Sequence, residues 1–179
     1  RRQRQMCIRD SLEELSDKLE YEIAGFLSNV STGSLTEEEA EQVKVLYRVI
    51  GELESLGDSG ENISRILERE RVHNRKFDDD SISKILTLSA KVEKGYDVMV
   101  ENLKNATSLE GVKDISNAYA SEDDINETRN KLREEGILQI EHHTGNYQSL
   151  NYFLDMIAEL EAMGDFMINV SQAIVRNDN

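Results

Sequence analysis

Proline and tryptophan are absent from this chain of 179 residues, which has one cysteine, Cys7, and four phenylalanines. Average usage would supply roughly nine prolines in this length. Proline breaks a helix interior by removing a donor and clashing with the preceding turn, and strand-rich domains lean on aromatic residues and tight turns. Both shortages therefore favour long uninterrupted helices. A lone cysteine excludes an internal disulfide framework and fits a reducing compartment. No run approaches the roughly 18 consecutive apolar residues of a membrane span. Positive charge is scarce as well: 21 Lys and Arg against 36 Asp and Glu leave a formal charge of -15. That field repels nucleic acid and anionic lipid and suits cationic partners, so no nucleic-acid partner is expected. No Ser-His-Asp or Cys-His arrangement, glycine-rich phosphate loop or nucleotide fingerprint occurs, and the chain reads as non-enzymatic.

Apolar spacings of three and four at Ile8, Leu12, Leu15, Leu19, Ile23, Phe26 and Leu27 predict a helix over about 5–30. Thr36 three residues before Glu39 has the form of a capping box, opening a second helix that runs to about His73. The polar break at 74–80 divides the chain into halves, 1–76 and 77–179. The second half predicts a helix through Ile82 to Leu103, another over about 109–143 loosened around Asn117 to Ser121, and a last one through Leu150 to Ile174. The layout is all-α, with two helices before the break and three after it.

The second and last helices carry an internal echo: ELESLGDSGENIS at Glu52 to Ser64 and ELEAMGDFMINVS at Glu159 to Ser171. Each copy sets a Glu and an Asp four residues apart, Glu54 with Asp58 and Glu161 with Asp165, and so on one helix face, with Asn62 or Asn169 a further step along. Such oxygen columns suit a hard or first-row transition metal ion. Gly57 and Gly164 each cost a helix roughly 1 kcal/mol relative to alanine, which suggests close approach of a neighbouring helix beside the acids. Glu13 and Asp17 repeat the Glu-x-x-x-Asp spacing on the first helix. Glu122 and Asn126 are a weaker version on the fourth, with Asp123 and Glu127 alongside. Each such pair also fits an ordinary solvated helix face. Arg129, Lys131 and Arg133 read as surface ion pairs, and His142 with His143 as a helix C-terminal cap. Glu70-x-x-His73 has the spacing of a ferritin-like di-metal site but occurs once.

The repeated Leu-Glu-x-x-Gly-Asp-x-x-x-Asn resembles the Leu-Glu-Arg-Ile-Gly-Asp-His-x-x-Asn-Ile signature of the PhoU family of phosphate-uptake regulators. The stretch from Leu46 to Glu54 and the run from Ile125 to Glu134 are similar to the PhoU-like cytoplasmic tail of bacterial sodium/phosphate cotransporter relatives. The resemblance covers essentially the whole chain. Ser55 and Ala162 depart from it where the family has Arg, and Ser59 and Phe166 where it has His. It implies tandem antiparallel three-helix bundles, the first lacking its first helix in this chain. It also implies metal ligands at Glu13, Asp17, Glu54 and Asp58 and again at Glu161 and Asp165, for divalent or ferric ions (Fe, Zn, Mn, Mg or Ca). The expected partner is a phosphate transporter, or a membrane transport domain upstream in the same polypeptide, which a start at Arg1 rather than Met would fit. The expected place is the cytoplasmic side of the bacterial inner membrane, or free in the cytoplasm. A two-helix first bundle should leave an apolar groove that another chain fills, giving a homodimer. Two other readings stand beside this one: a helical interaction module without metal, and a di-metal carboxylate enzyme.

Overall fold

The computed structural model describes the backbone from Arg2 to Val175 apart from Arg75 and residues 108–110 and 143–145, and side chains from Glu14 onward except Ser16. Five helices follow in order: α1 Arg2–Ser31, α2 Glu37–Val72, α3 Asp79–Ala106, α4 Ser116–Glu141 and α5 Tyr147–Ala173. Their starts follow from local chemistry. The Thr36 hydroxyl accepts the Glu39 N–H (3.2 Å) while the Glu39 carboxylate accepts the Thr36 N–H (2.8 Å), completing the expected capping box. Asp78 caps α3 through the Ser81 N–H, and Asn146 caps α5 through Gln148 and Ser149. Asn74, at φ 50°, ends the turn after α2 in the left-handed region that Asn tolerates.

One expectation fails. The fourth helix begins at Ser116, not near 109, and runs without interruption through Asn117 to Ser121. Gly111 sits at φ 65°, and Val112 makes an isolated parallel bridge with Val175, so the segment before Ser116 is tied to the end of α5 instead of coiling. Asn117 is held by reciprocal amide bonds with buried Asn102 of α3 (3.3 and 3.2 Å), and Asn102 also donates to the Ser171 hydroxyl of α5 (3.3 Å). That network pins one end of three helices and leaves no reason for α4 to loosen there.

Helices α3, α4 and α5 pack pairwise as a three-helix bundle, α2 packs on α5, and α1, among the described residues, packs on α2 alone. The core is richest along α5, where Phe153, Met156, Ile157, Leu160, Met167 and Val170 are buried; Leu88, Val92 and Met99 of α3 and Ile125 of α4 close the bundle. Val49, Leu56 and Ile66 join it from α2, whereas Leu27 is the one described residue of α1 that is buried. A Cβ at Gly164 would lie 3.2 Å from Ile125 Cδ1, so this glycine does let α4 come close. Gly57, its counterpart, is exposed.

Candidate cation sites beside the repeated motif

The two motif copies face each other. Asn169 Nδ2 donates to Glu52 Oε2 (3.0 Å), and Asn62 Nδ2 donates to Glu159 Oε2 (3.4 Å). The first Glu of each copy thus meets the last Asn of the other, which makes α2 and α5 antiparallel about a local two-fold axis. This corrects the expectation that Asn62 and Asn169 extend the acidic columns. Their amides point across the α2–α5 seam, and the ligand-like acids lie on other flanks of the two helices.

On α2, the flank carrying Glu54 and Asp58 meets α1. Tyr47, one helical face with Glu54, donates its hydroxyl to the Ala24 carbonyl of α1 (3.0 Å), fixing that face toward α1. Burial raises the Glu54 pKa first, and the negative charges of Asp58, Glu20 and Asp17 raise it further. Asp17 and Asp58 are exposed, and Glu20 is half-buried. Among the described residues no Lys or Arg pairs with any of these four carboxylates. The side chain of Glu13 lies outside the described residues; its backbone is helical, one turn before Asp17. Glu20 was missed in the sequence because it breaks the Glu-x-x-x-Asp spacing, although it lies three residues after Asp17 on the same face.

On α5, the corresponding flank meets α4. Burial is again the leading cause of a raised Glu122 pKa, with Asp123, Asp165 and Glu161 adding to it and the Asn126 amide opposing it. Asp165, though exposed, is raised by partial burial and then by Glu161, and Arg129 opposes the rise. Asn126 donates to Glu122, and the guanidinium of Arg129 donates to Glu161. Both side chains of the second pair are largely covered, 24% and 18% exposed, so Arg129 is not the surface ion-pair partner expected from sequence. Asn126 Oδ1 and Arg129 Nε are buried without a partner.

The copies differ in one decisive charge. Moving from Glu161 to Glu54 is a shift of 107 residues, and from α4 to α1 it is 109, so the place of Arg129 falls to Glu20. The α4–α5 acids already have a guanidinium among them, and an added cation would compete with it; that site does not fit a metal. The α1–α2 acids offer only oxygen and, among the described residues, have no counter-charge, so their field attracts a cation. Among the described residues, no group of three or more Asp, Glu, His or Cys side chains is arranged to hold a metal ion.

Glu70 and His73 do not converge on a common point. Glu70 accepts the Phe77 N–H (3.1 Å), bridging the turn into α3, while His73 Nδ1 meets the Tyr152 hydroxyl (2.6 Å) with the rings stacked. His142 is the C-cap residue of α4, and His143 lies outside the described residues. No described helix is long and apolar enough to cross a membrane. No protein-family model, curated protein or solved structure matches the chain.

Proposed function

We propose that this chain is a non-enzymatic regulatory module of the PhoU type that acts on sodium-dependent phosphate transport at the cytoplasmic side of a bacterial membrane. The observation that carries the reading is the reciprocal pairing of Glu52 with Asn169 and of Asn62 with Glu159. Each motif copy serves the same structural purpose in its half, as expected of a signature used once in each of two tandem bundles. A divalent or ferric cation is attracted to the negative field of Asp17, Glu20, Glu54 and Asp58 between α1 and α2, where its charge offsets their repulsion, although no three of these carboxylates are gathered as a ligand set. Arg129 does the equivalent work between α4 and α5.

Calorimetric titration with Mn, Fe, Zn, Mg and Ca tests the cation, comparing the chain with its Glu54→Gln/Asp58→Asn double variant. We expect binding by the former and at least a tenfold loss in the latter. Uptake of labelled phosphate by bacteria producing the whole reading frame tests the role in transport; the double variant should change sodium-dependent flux. Unaltered flux together with unaltered binding would discard the proposal. One observation favours a second reading, an interaction module indifferent to metal: α1 and α2 expose a continuous apolar stripe. A complex that survives chelator would support it.

A further inference from the structure

Between α3 and α4, away from both copies of the repeated motif, lies a groove of about 450 Å³ with buried Leu132 in its floor. That is within the size range of small-molecule sites. Two ion pairs across the helices close its ends, Lys84 with Glu135 (2.9 Å) and Lys91 with Asp124 (2.5 Å). The two lysines are two turns apart on α3, about 10 Å of helix. Lys84 is also held by Asp80 (2.7 Å), so both of these ammonium groups are committed to carboxylates.

Between the pairs the remaining groups divide cleanly. The hydroxyls of Thr87 and Thr128 each donate to the carbonyl one turn back on their own helix, Ser83 and Asp124 (2.8 Å in both cases). A hydroxyl has one proton, so toward anything entering the groove both threonine oxygens act as acceptors. The charges left over are Lys131 and Glu127, both exposed and one turn apart on α4. Neither has an ion pair or hydrogen bond among the described residues, although Lys131 was expected from sequence to sit in a surface ion pair. Helical neighbours at this spacing have Cβ atoms about 5–6 Å apart.

This set of groups selects a charge type. An anion would meet Asp124, Glu127 and Glu135 in the lining and the field of a chain of charge -15. A plain cation would meet the unpaired Lys131. A molecule that carries both charges uses the free ammonium, the free carboxylate and the two spare acceptors at once.

We propose that the α3–α4 groove binds a small zwitterion, its carboxylate on the Lys131 ammonium and its own ammonium on Glu127 and the oxygens of Thr87 and Thr128. The two charges of the ligand are several bonds apart, as in an ω-amino acid or a short peptide, because an α-amino acid holds them closer together than one helical turn. The groove touches neither α1 nor α2, so the site is independent of any cation between those helices.

The probes are γ-aminobutyrate, with an alkyl spacer, and glycylglycine, with a peptide spacer. Each is titrated into the isotope-labelled full chain, and the amide shifts of α3 and α4 are followed by NMR. We expect saturable binding of at least one probe with a Kd of about 1 mM, and the tighter of the two identifies the spacer. Butylamine, which lacks the carboxylate, and butyrate, which lacks the ammonium, should bind about tenfold more weakly or worse. Lys131→Gln and Glu127→Gln should each weaken the probe by a similar factor, and circular dichroism checks that these exposed changes leave the fold intact. Lys104→Gln, exposed in the last turn of α3, should change nothing. Absence of saturable binding by both probes overturns the proposal, as does binding that survives both groove variants. Equal binding of butyrate or of butylamine also overturns it, since the groove would then take a plain anion or a plain cation.

Discussion

Truncating Arg129 to alanine strands Glu161 and Asp165 side by side in a half-covered crevice, with Glu122 on the facing helix. Removing one member of a buried pair costs more than the pair contributes, and partial exposure lessens that cost, so a loss of about 1–3 kcal/mol is expected in denaturant unfolding. The reverse exchange is informative in the other half. Glu20→Arg places a guanidinium beside Glu54 as Arg129 sits beside Glu161, and should stabilise the chain by about 0.5–1 kcal/mol while abolishing the cation binding proposed between α1 and α2. If Glu20→Arg destabilises the fold, the equivalence of the two positions is wrong. Of these residues, Glu54, Asp58, Glu161 and Asp165 were legible as columns because their spacing repeats. The charges that decide how each column behaves, Glu20 and Arg129, were not. They come from the neighbouring helices, and their influence depends on a packing phase that no spacing within one helix encodes.

At the scale of helices, the α2–α5 seam is set by two polar pairs at its ends and apolar contacts between them. Polar pairs of this kind specify register, since sliding one helix past the other leaves both carboxylates facing apolar groups. Asn169→Ala should cost about 1 kcal/mol and Asn62→Ala somewhat less, given its longer bond. The pairs stand ten residues, roughly 15 Å, apart along each helix. Unfolding free energies of the single and double variants should therefore add, and a coupling above ~0.5 kcal/mol would mean that the seam shifts as one body. The helices themselves were readable, because apolar periodicity and the Thr36, Asp78 and Asn146 caps are local signals. The start of α4 was not: Val112 is drawn to Val175 across 63 positions, and an isolated bridge leaves no period in the sequence. The seam had its signal in plain view, a Glu and an Asn framing both copies, but direction along the helix was mistaken for direction toward a ligand.

For the molecule as a whole, the packing order is uneven, with α5 touching three helices and α1 touching one. Amide exchange should follow it, fastest in α1 and slowest in α5, because local opening costs least where the fewest apolar groups must be exposed. The sequence places two helices before the polar break and three after it, and their packing is unequal: α3, α4 and α5 close over their apolar stripe while α1 and α2 leave theirs open. Charge is uneven too, and it sets the response to pH. Burial leads the upward shift of Glu54, Glu122 and Asp165, and neighbouring acids add to it. Such a group holds its proton more tightly in the folded state. Between its unfolded value, about 4.3 for Glu and 3.9 for Asp, and its higher folded value, the native state binds more protons than the unfolded one, and stability falls as pH rises. Asp78 runs the other way: the Ser81 hydrogen bonds lower its pKa, so the stability it contributes is present above about pH 3.9 and lost as pH falls through its folded value. Thermal unfolding at low ionic strength should therefore give a midpoint that starts to fall as pH rises above about 4.3, and the Glu54→Gln/Glu122→Gln/Asp165→Asn variant should remove that fall while retaining the loss in more acidic solution that Asp78 contributes. A wild-type midpoint that climbs steadily from pH 5 to 7.5 would show that paired carboxylates, and not these three strained ones, govern the stability of the fold.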